Sequence, residues 1–168
     1  MEYNLTIPNI DKGNILQHIL EVRDDGNLVG AVSLYDLRRF PISEDGDIYD
    51  RYEKTFYELQ TWAEAKSNDL LILIQCLMTL SEINDFTEEF LLSDKILMEL
   101  IMVNEEYRKK GIGTKLLSLV RDYFRCPVYA FVGRPLDENM KQEELLSFYR
   151  DNDCELIEKE KDEYILIV

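Results

Sequence analysis

The chain has 168 residues, enough for one domain with a sizeable core and too few for two. Its composition, 46% hydrophobic and 32% charged, is ordinary for a soluble globular protein. The formal charge of −15 argues against nucleic-acid and anionic-membrane partners, because most of the surface repels phosphate, and it favours cationic partners.

The sequence predicts no membrane segment, secretion signal or metal site. The N-terminus has no basic region followed by an apolar stretch, and the longest apolar run, residues 70–80, falls short of the roughly 20 residues that span a bilayer. The three cysteines, Cys76, Cys126 and Cys154, form no CxxC pair. We therefore expect a reduced, cytoplasmic protein without a metal.

The first half of the chain predicts a hairpin followed by helices. Turn residues at 24–27 separate two apolar runs, and apolar residues at helical spacing follow a polar loop, with Asp47 placed to cap the helix. Residues 70–80 fit a buried strand or a buried helix, and their Leu and Met content favours the helix. The predicted elements are strands at Leu16–Arg23 and Leu28–Asp36, a loop at 38–47 and a helix from Ile48 to about Lys66.

The second half alternates strands and helices, which predicts an α/β fold with one crossover around a mostly buried sheet. The start of its last helix is ambiguous, because either Asp137 or Asn139 can begin that helix. The predicted elements are strands at Lys95–Val103, Pro127–Val132, Cys154–Glu160 and Tyr164–Val168, and helices at Gly111–Phe124 and around Leu145–Tyr149.

The loop between the strand at 95–103 and the next helix predicts an anion site. Residues 105–125 carry six basic and three acidic residues within this acidic chain. The first N–H groups of a helix lack internal partners and lie at the positive end of its dipole, and glycines let a phosphate approach the backbone. The basic residues Arg108, Lys109 and Lys110 precede Gly111 and Gly113, so we expect a pyrophosphate there.

Neither common nucleotide motif fits this loop. A Walker loop needs G-x-x-x-x-G-K-[ST], and a Rossmann fingerprint has a third glycine and follows the first strand. The run Arg108-x-x-Gly111-x-Gly113 instead resembles the R/Q-x-x-G-x-G/A signature of the GNAT acetyltransferases, and Glu99–Val103 resembles the strand before it. Glu105 stands where family members often have proline.

The resemblance implies the GNAT fold, a mixed, largely antiparallel twisted sheet flanked by helices in one domain over residues 1–168. It also implies acetyl-CoA as co-substrate. Backbone groups of the strand would pair with the pantetheine arm, and backbone N–H groups of the loop would hold the pyrophosphate. The residues so implied are Ile101, Met102, Val103, Arg108, Lys109, Lys110, Gly111, Ile112, Gly113 and Thr114.

A second resemblance lies at Leu145-Leu146-Ser147-Phe148-Tyr149-Arg150. Tyr149 falls on the position of the tyrosine that serves many GNAT members as general acid, which would protonate the departing CoA thiolate. A phenol with a reference pKa near 10 can act on a thiol near 8.5 through a modest shift or a good hydrogen bond. Two positions depart from the family pattern: Asp153-Cys154 replaces Gly-Phe, and Gln142 replaces an asparagine.

Glu99 is the candidate general base. We expect it on the same strand face as Ile101 and Val103, two and four residues away, beside the acyl end of the cofactor. Alternatively it lies on a polar rim or pairs with Lys95. His18, the only histidine, sits in the first hairpin and reads as a sheet residue rather than a base. Cys126 is not needed as a nucleophile, because an amine that attacks directly forms no acyl-enzyme.

The sequence thus predicts an acetyl-CoA-dependent N-acetyltransferase acting on a primary amine, with the charge favouring a cationic small molecule or a peptide amine. The alternatives are a non-catalytic acyl-CoA-binding or protein-interaction module on the same fold, and a binder of another nucleotide phosphate. The resemblance covers residues 95–168, the expected acetyl-CoA core, and residues 1–94 should form the acceptor side. Many GNAT members dimerise, which leaves a homodimer open.

Overall fold

The computed structural model describes residues 1–10, 14–135 and 137–168, with backbone alone for 7–10. A seven-stranded sheet runs in the order β1-β2-β3-β4-β5-β7-β6, antiparallel throughout except for the parallel pair β4–β5. The strands are β1 (Glu2–Ile10), β2 (Leu16–Asp24), β3 (Asn27–Asp36), β4 (Ile96–Val103), β5 (Val128–Val132), β6 (Glu155–Glu160) and β7 (Glu163–Ile167).

Helices cover both faces of the sheet, as expected for α/β architecture. On one face α1 (Ile48–Lys66), α2 (Asn68–Ile83) and α3 (Glu88–Leu92) pack over residues such as Tyr35 and Leu97. On the other face α4 (Ile112–Phe124) and α5 (Gln142–Asp151) pack over residues such as Leu34 and Met98. The fold is therefore the mixed, mostly antiparallel sheet with flanking helices that was expected.

Helices α1, α2 and α3 each begin where a side chain satisfies a free N–H group. Asp47 caps α1 in a capping box with Asp50, and Ser67 caps α2 by accepting from the Leu70 N–H at 3.2 Å. Ser67 also ends α1, since its own N–H donates to the Ala63 carbonyl. The ambiguous run 70–80 is thus helical, in a helix separated from α1 by Ser67.

Two elements were not predicted, and one helix begins at a different residue than expected. Strand β1 was not predicted; its Tyr3 and Leu5 pack on the α4 side. The short α3 was not predicted either. Helix α5 begins at Gln142 rather than near Asp137, because the Asp137 carboxylate accepts from the Asn139 N–H in a turn before the helix.

A candidate acyl-CoA site at strand β4

Strand β4 has an open edge on its β5 side. The two strands pair in parallel only at Ile96 with Val128 and Leu97 with Tyr129. Beyond this point β5 continues against β7 while β4 continues against β3. Within the described residues, the backbone of β4 from Met98 to Val103 has no strand on that side, so an extended molecule with amide groups could add there as a strand does.

The loop after β4 is held in place by Arg108. Its Nε donates to the Val103 carbonyl at 3.1 Å, and its guanidinium also pairs with the Asp137 carboxylate. The Arg108 hydrogen bond holds the pKa of Asp137 below its usual value. Since both contacts are to protein groups, the Arg108 side chain shapes the loop, and the exposed Lys109 and Lys110 supply the remaining positive charge.

The N-terminus of α4 differs from those of the preceding helices because no side chain caps it. Gly111 is the cap residue, in the left-handed region at φ 79°, and Lys109 is left-handed at φ 58°. The first turn of α4 contains no acidic residue, whereas α1, α2 and α3 each have a side-chain cap and an acidic residue there. The free N–H groups and the positive end of the helix dipole are thus left for an external anion.

Glycine is favoured at the two loop positions, Gly111 and Gly113, for different physical reasons. A Cβ on Gly111 would meet nothing within 4 Å, so its role is the left-handed backbone and an unobstructed approach. A Cβ on Gly113 would lie 2.9 Å from Cζ of Phe148. Gly113 therefore also lets the Phe148 ring of α5 pack against α4.

Glu99 lies on the opposite face from the one expected. Ser33 pairs with Leu100 and Leu34 with Met98, so Glu99 is the extra residue of a β-bulge. The bulge reverses the alternation, so Ile101 and Val103 pack on the α4 side. Glu99 faces α1 and α2, which makes the expectation of a shared face wrong.

The Glu99 carboxylate is held by hydroxyl groups. The Ser67 hydroxyl donates to its Oε1 at 2.9 Å, and the Ser33 hydroxyl lies 3.5 Å from its Oε2. The Gln17 amide in turn lies 3.5 Å from the Ser33 hydroxyl. Lys95 does not pair with Glu99; its ammonium donates to carbonyls around the end of α3, and burial lowers its pKa to about 8.

Tyr149 lies on α5 beside Phe148, with their ring centroids 5.2 Å apart. Its side chain is 5% exposed and belongs to the apolar cluster under α4. Burial, with a smaller contribution from Cys154, raises the pKa of Tyr149 to about 12. The phenol thus stays protonated at neutral pH and can donate a hydrogen bond.

The remaining candidates are structural. His18 is 2% exposed, 3.7 Å from the Asp36 carboxylate, and packs against the Phe124 ring. Burial raises the pKa of the Cys126 thiol, which makes it a poor nucleophile. The Gln142 amide donates to the carbonyls of Gly133 and Asp162, so it joins α5 to neighbouring loops.

The contacts of three residues of this region were not predicted from the sequence. Ser67 had a usable signal, because a serine before Asn-Asp between two helical runs is a typical N-cap. Asp137 and Phe148 contact Arg108 and Gly113 across long sequence separations, which no local pattern reports. In the described ranges no three His, Cys, Asp or Glu side chains are grouped to hold a metal, and no helix has the length and apolarity to cross a membrane.

Comparison with known structures finds likenesses of low identity. A putative GNAT-family acetyltransferase from Bacteroides thetaiotaomicron is 15% identical, over 93% of this chain and 62% of that one, with a TM-score of 0.45. An N-acetyltransferase from Staphylococcus aureus Mu50 is 16% identical, over 89% and 69%, with a TM-score of 0.47. Arabidopsis thaliana NAA60 in complex with acetyl-CoA is 17% identical, over 91% and 75%, with a TM-score of 0.44. At these values the likenesses bear on neither substrate nor activity.

Comparison with curated protein sequences gives no match. The sequence model of the acetyltransferase (GNAT) family matches residues 78–154. The matched segment contains β4, the glycine loop, α4, β5 and α5, which are the elements that form the site described above. Over residues 78–154 the chain is thus similar to the GNAT acetyltransferase family.

Proposed function

We propose that the chain is an acetyl-CoA-dependent N-acetyltransferase that moves the acetyl group directly to a primary amine. The observation that carries the proposal is that β4 joins three features: an open edge, the Glu99 carboxylate and, through its loop, the uncapped start of α4. Glu99 lies four residues before Val103, roughly 13 Å along a strand. A thioester lying along the edge with its diphosphate at α4 would present its acyl end near Glu99.

The residues of the loop fit the diphosphate of acetyl-CoA. The N–H groups of Ile112, Gly113 and Thr114 open the helix, and the exposed ammonium groups of Lys109 and Lys110 lie just before them. Arg108 would keep the loop folded rather than contact phosphate, because Asp137 already engages it. The backbone of Ile101, Met102 and Val103 would pair with the amide groups of the pantetheine arm.

In the proposed reaction the amine nitrogen attacks the thioester carbonyl, the C–N bond forms and the C–S bond breaks. The ammonium loses two protons overall: one leaves through Glu99, directly or through a water, and the other ends on the CoA thiol. With a pKa of about 12, Tyr149 would stabilise the departing sulfur mainly as a hydrogen-bond donor. Full transfer from so weak an acid to a thiolate, whose reference pKa is about 8.5, is uphill.

The contacts of Glu99 support a division of the domain into an acceptor side, residues 1–94, and an acetyl-CoA core, residues 95–168. Ser33 and Ser67, which hold the carboxylate, both come from residues 1–94, whereas the open edge and the loop come from 95–168. We propose that the first part shapes the acceptor side and the second binds acetyl-CoA. A cytoplasmic setting fits the free thiols of Cys76, Cys126 and Cys154, and a homodimer remains an expectation that light scattering can check.

The test is thiol release from acetyl-CoA with a panel of primary amines, with the acetylated product identified by mass spectrometry. Tyr149→Phe and Glu99→Gln should each keep acetyl-CoA affinity and lose about 10²- to 10⁴-fold in turnover. Tyr129→Phe, a tyrosine that is 4% exposed, and Glu158→Gln on the edge strand β6 are matched controls.

A non-catalytic acyl-CoA-binding module is the second candidate, and the deep burial of Tyr149 favours it. Such a protein would bind acetyl-CoA with the same loop and acetylate no amine of the panel. Binding of ATP with none of acetyl-CoA would contradict both candidates.

A further inference from the structure

We infer that the acceptor is a monoamine, with one primary amine attached to an apolar aliphatic group, rather than a polyamine. This inference rests on the proposed function and concerns the surface next to Glu99. The surface is defined by the apolar side chains of Ile19, Ala31, Leu100 and Met102, called the apolar strip below.

The bulge at Glu99 creates this strip. Because Ile101 and Val103 turn toward α4, their neighbours Leu100 and Met102 project from the opposite face of β4, the face that Glu99 shares. Leu100 is 44% exposed and Met102 is 38% exposed. Two large apolar side chains thus lie open beside the proposed base.

Strand pairing extends the strip across the sheet. Leu100 is opposite Ser33 and Met102 is opposite Ala31. On the next strand Ile19 is opposite Ser33. The apolar cluster under α1, α2 and α3 contains none of the four strip residues, so in the described part of the chain these helices leave the strip uncovered.

The polar groups around the strip favour one ammonium and an apolar remainder. Glu99 offers a carboxylate at one end, held by the Ser67 hydroxyl. Glu21, the carboxylate on the strand position opposite Ala31, is already paired with Arg23 at 2.9 Å. A polyamine would lay a second ammonium over Leu100 and Met102, where losing its water without a free anion is unfavourable. An aliphatic stem gains by the same contact, and Met adapts to its shape.

The test compares leucinamide with glycinamide, which differ only in the side chain next to the amine, and with spermidine. The kcat/KM ratio of leucinamide to glycinamide should be roughly 10- to 100-fold. Leu100→Thr/Met102→Thr should bring this ratio close to one by raising KM for leucinamide and not for glycinamide. Leu28→Thr, at a β3 leucine that is 38% exposed and not part of the apolar strip, should leave the ratio intact.

Peptides beginning with Leu or Gly form a parallel arm, which distinguishes a free amine from a peptide N-terminus as the source of the same chemistry. A preference for spermidine, or a leucinamide ratio unchanged in the double variant, overturns the inference and leaves acetyl transfer standing. If the protein binds acetyl-CoA and acetylates none of these amines, the proposed function fails, and the inference fails with it.

Discussion

Replacing Gly113 by alanine should loosen the contact between α4 and α5. The new Cβ would lie 2.9 Å from Cζ and 3.2 Å from Cε2 of Phe148, both closer than ordinary van der Waals contact. Overpacking of this kind costs about 1–3 kcal/mol, and the better helix propensity of alanine recovers up to about 1 kcal/mol. We expect a net loss of about 1–2 kcal/mol in the free energy of unfolding, measured by urea denaturation.

A second variant separates this clash from backbone strain. Phe148→Leu removes the ring atoms that the new Cβ of Gly113→Ala would meet. Gly113→Ala should therefore cost much less stability in the Phe148→Leu background than in the parent protein, with a coupling energy of about 1 kcal/mol or more. Gly111→Ala should also cost about 1–2 kcal/mol, because its φ of 79° is left-handed, yet Phe148→Leu should not rescue it.

Activity gives an independent readout of the same contact. A displaced Phe148 moves the neighbouring Tyr149, so Gly113→Ala should lower kcat more than it lowers acetyl-CoA affinity. The reasoning is refuted if Gly113→Ala is as stable as the parent protein, or if Phe148→Leu rescues Gly111→Ala and Gly113→Ala equally.

Three further predictions concern the loop and the proposed catalytic groups. Because the pKa of Tyr149 is raised to about 12 in the folded protein against about 10 unfolded, the unfolding free energy should fall by about 2–3 kcal/mol between pH 10 and 12, and Tyr149→Phe should lack this share of the decline. Ser67→Gly keeps nearly all the capping of α2 but removes the hydroxyl that holds the Glu99 carboxylate, so kcat/KM for the amine should fall about tenfold with acetyl-CoA affinity kept, whereas Ser67→Thr should restore it; an unchanged kcat/KM in Ser67→Gly would contradict the role. Lys109→Gln/Lys110→Gln should weaken acetyl-CoA binding about tenfold at low salt and much less at 1 M salt, where the Debye length is about 3 Å; calorimetry would show an unchanged affinity if the diphosphate binds elsewhere.

The sequence was sufficient for features that depend on local pattern. The strand β4, the glycine loop and α4 are contiguous, and their hydrophobic spacing and glycine positions predict them directly. The helical state of 70–80 agrees with the preference given by its Leu and Met content, which had left a strand open. Open surroundings were expected of both Gly111 and Gly113, and only Gly111 has them.

The features that the sequence did not reveal depend on distant partners. The bulge at Glu99 is defined by pairing with Ser33 and Leu34, and a strand read alone keeps its two-residue alternation. The engagement of Arg108 by Asp137 spans 29 positions along the chain. Such contacts are set by how the sheet and helices assemble, so the sequence alone reveals neither the face of Glu99 nor the partner of Arg108.

The bulge also makes β4 unusual in its tolerance of deletion. Removing Glu99 would restore regular alternation and leave Met98, Ile101 and Val103 on the α4 side. Removing Leu97 instead would move the side chains at one end of β4 to the opposite face of the sheet. In a codon-deletion scan, loss of Glu99 should therefore give a folded protein without the proposed base. A folded deletion variant would mean that this additional residue serves the proposed chemistry rather than the fold.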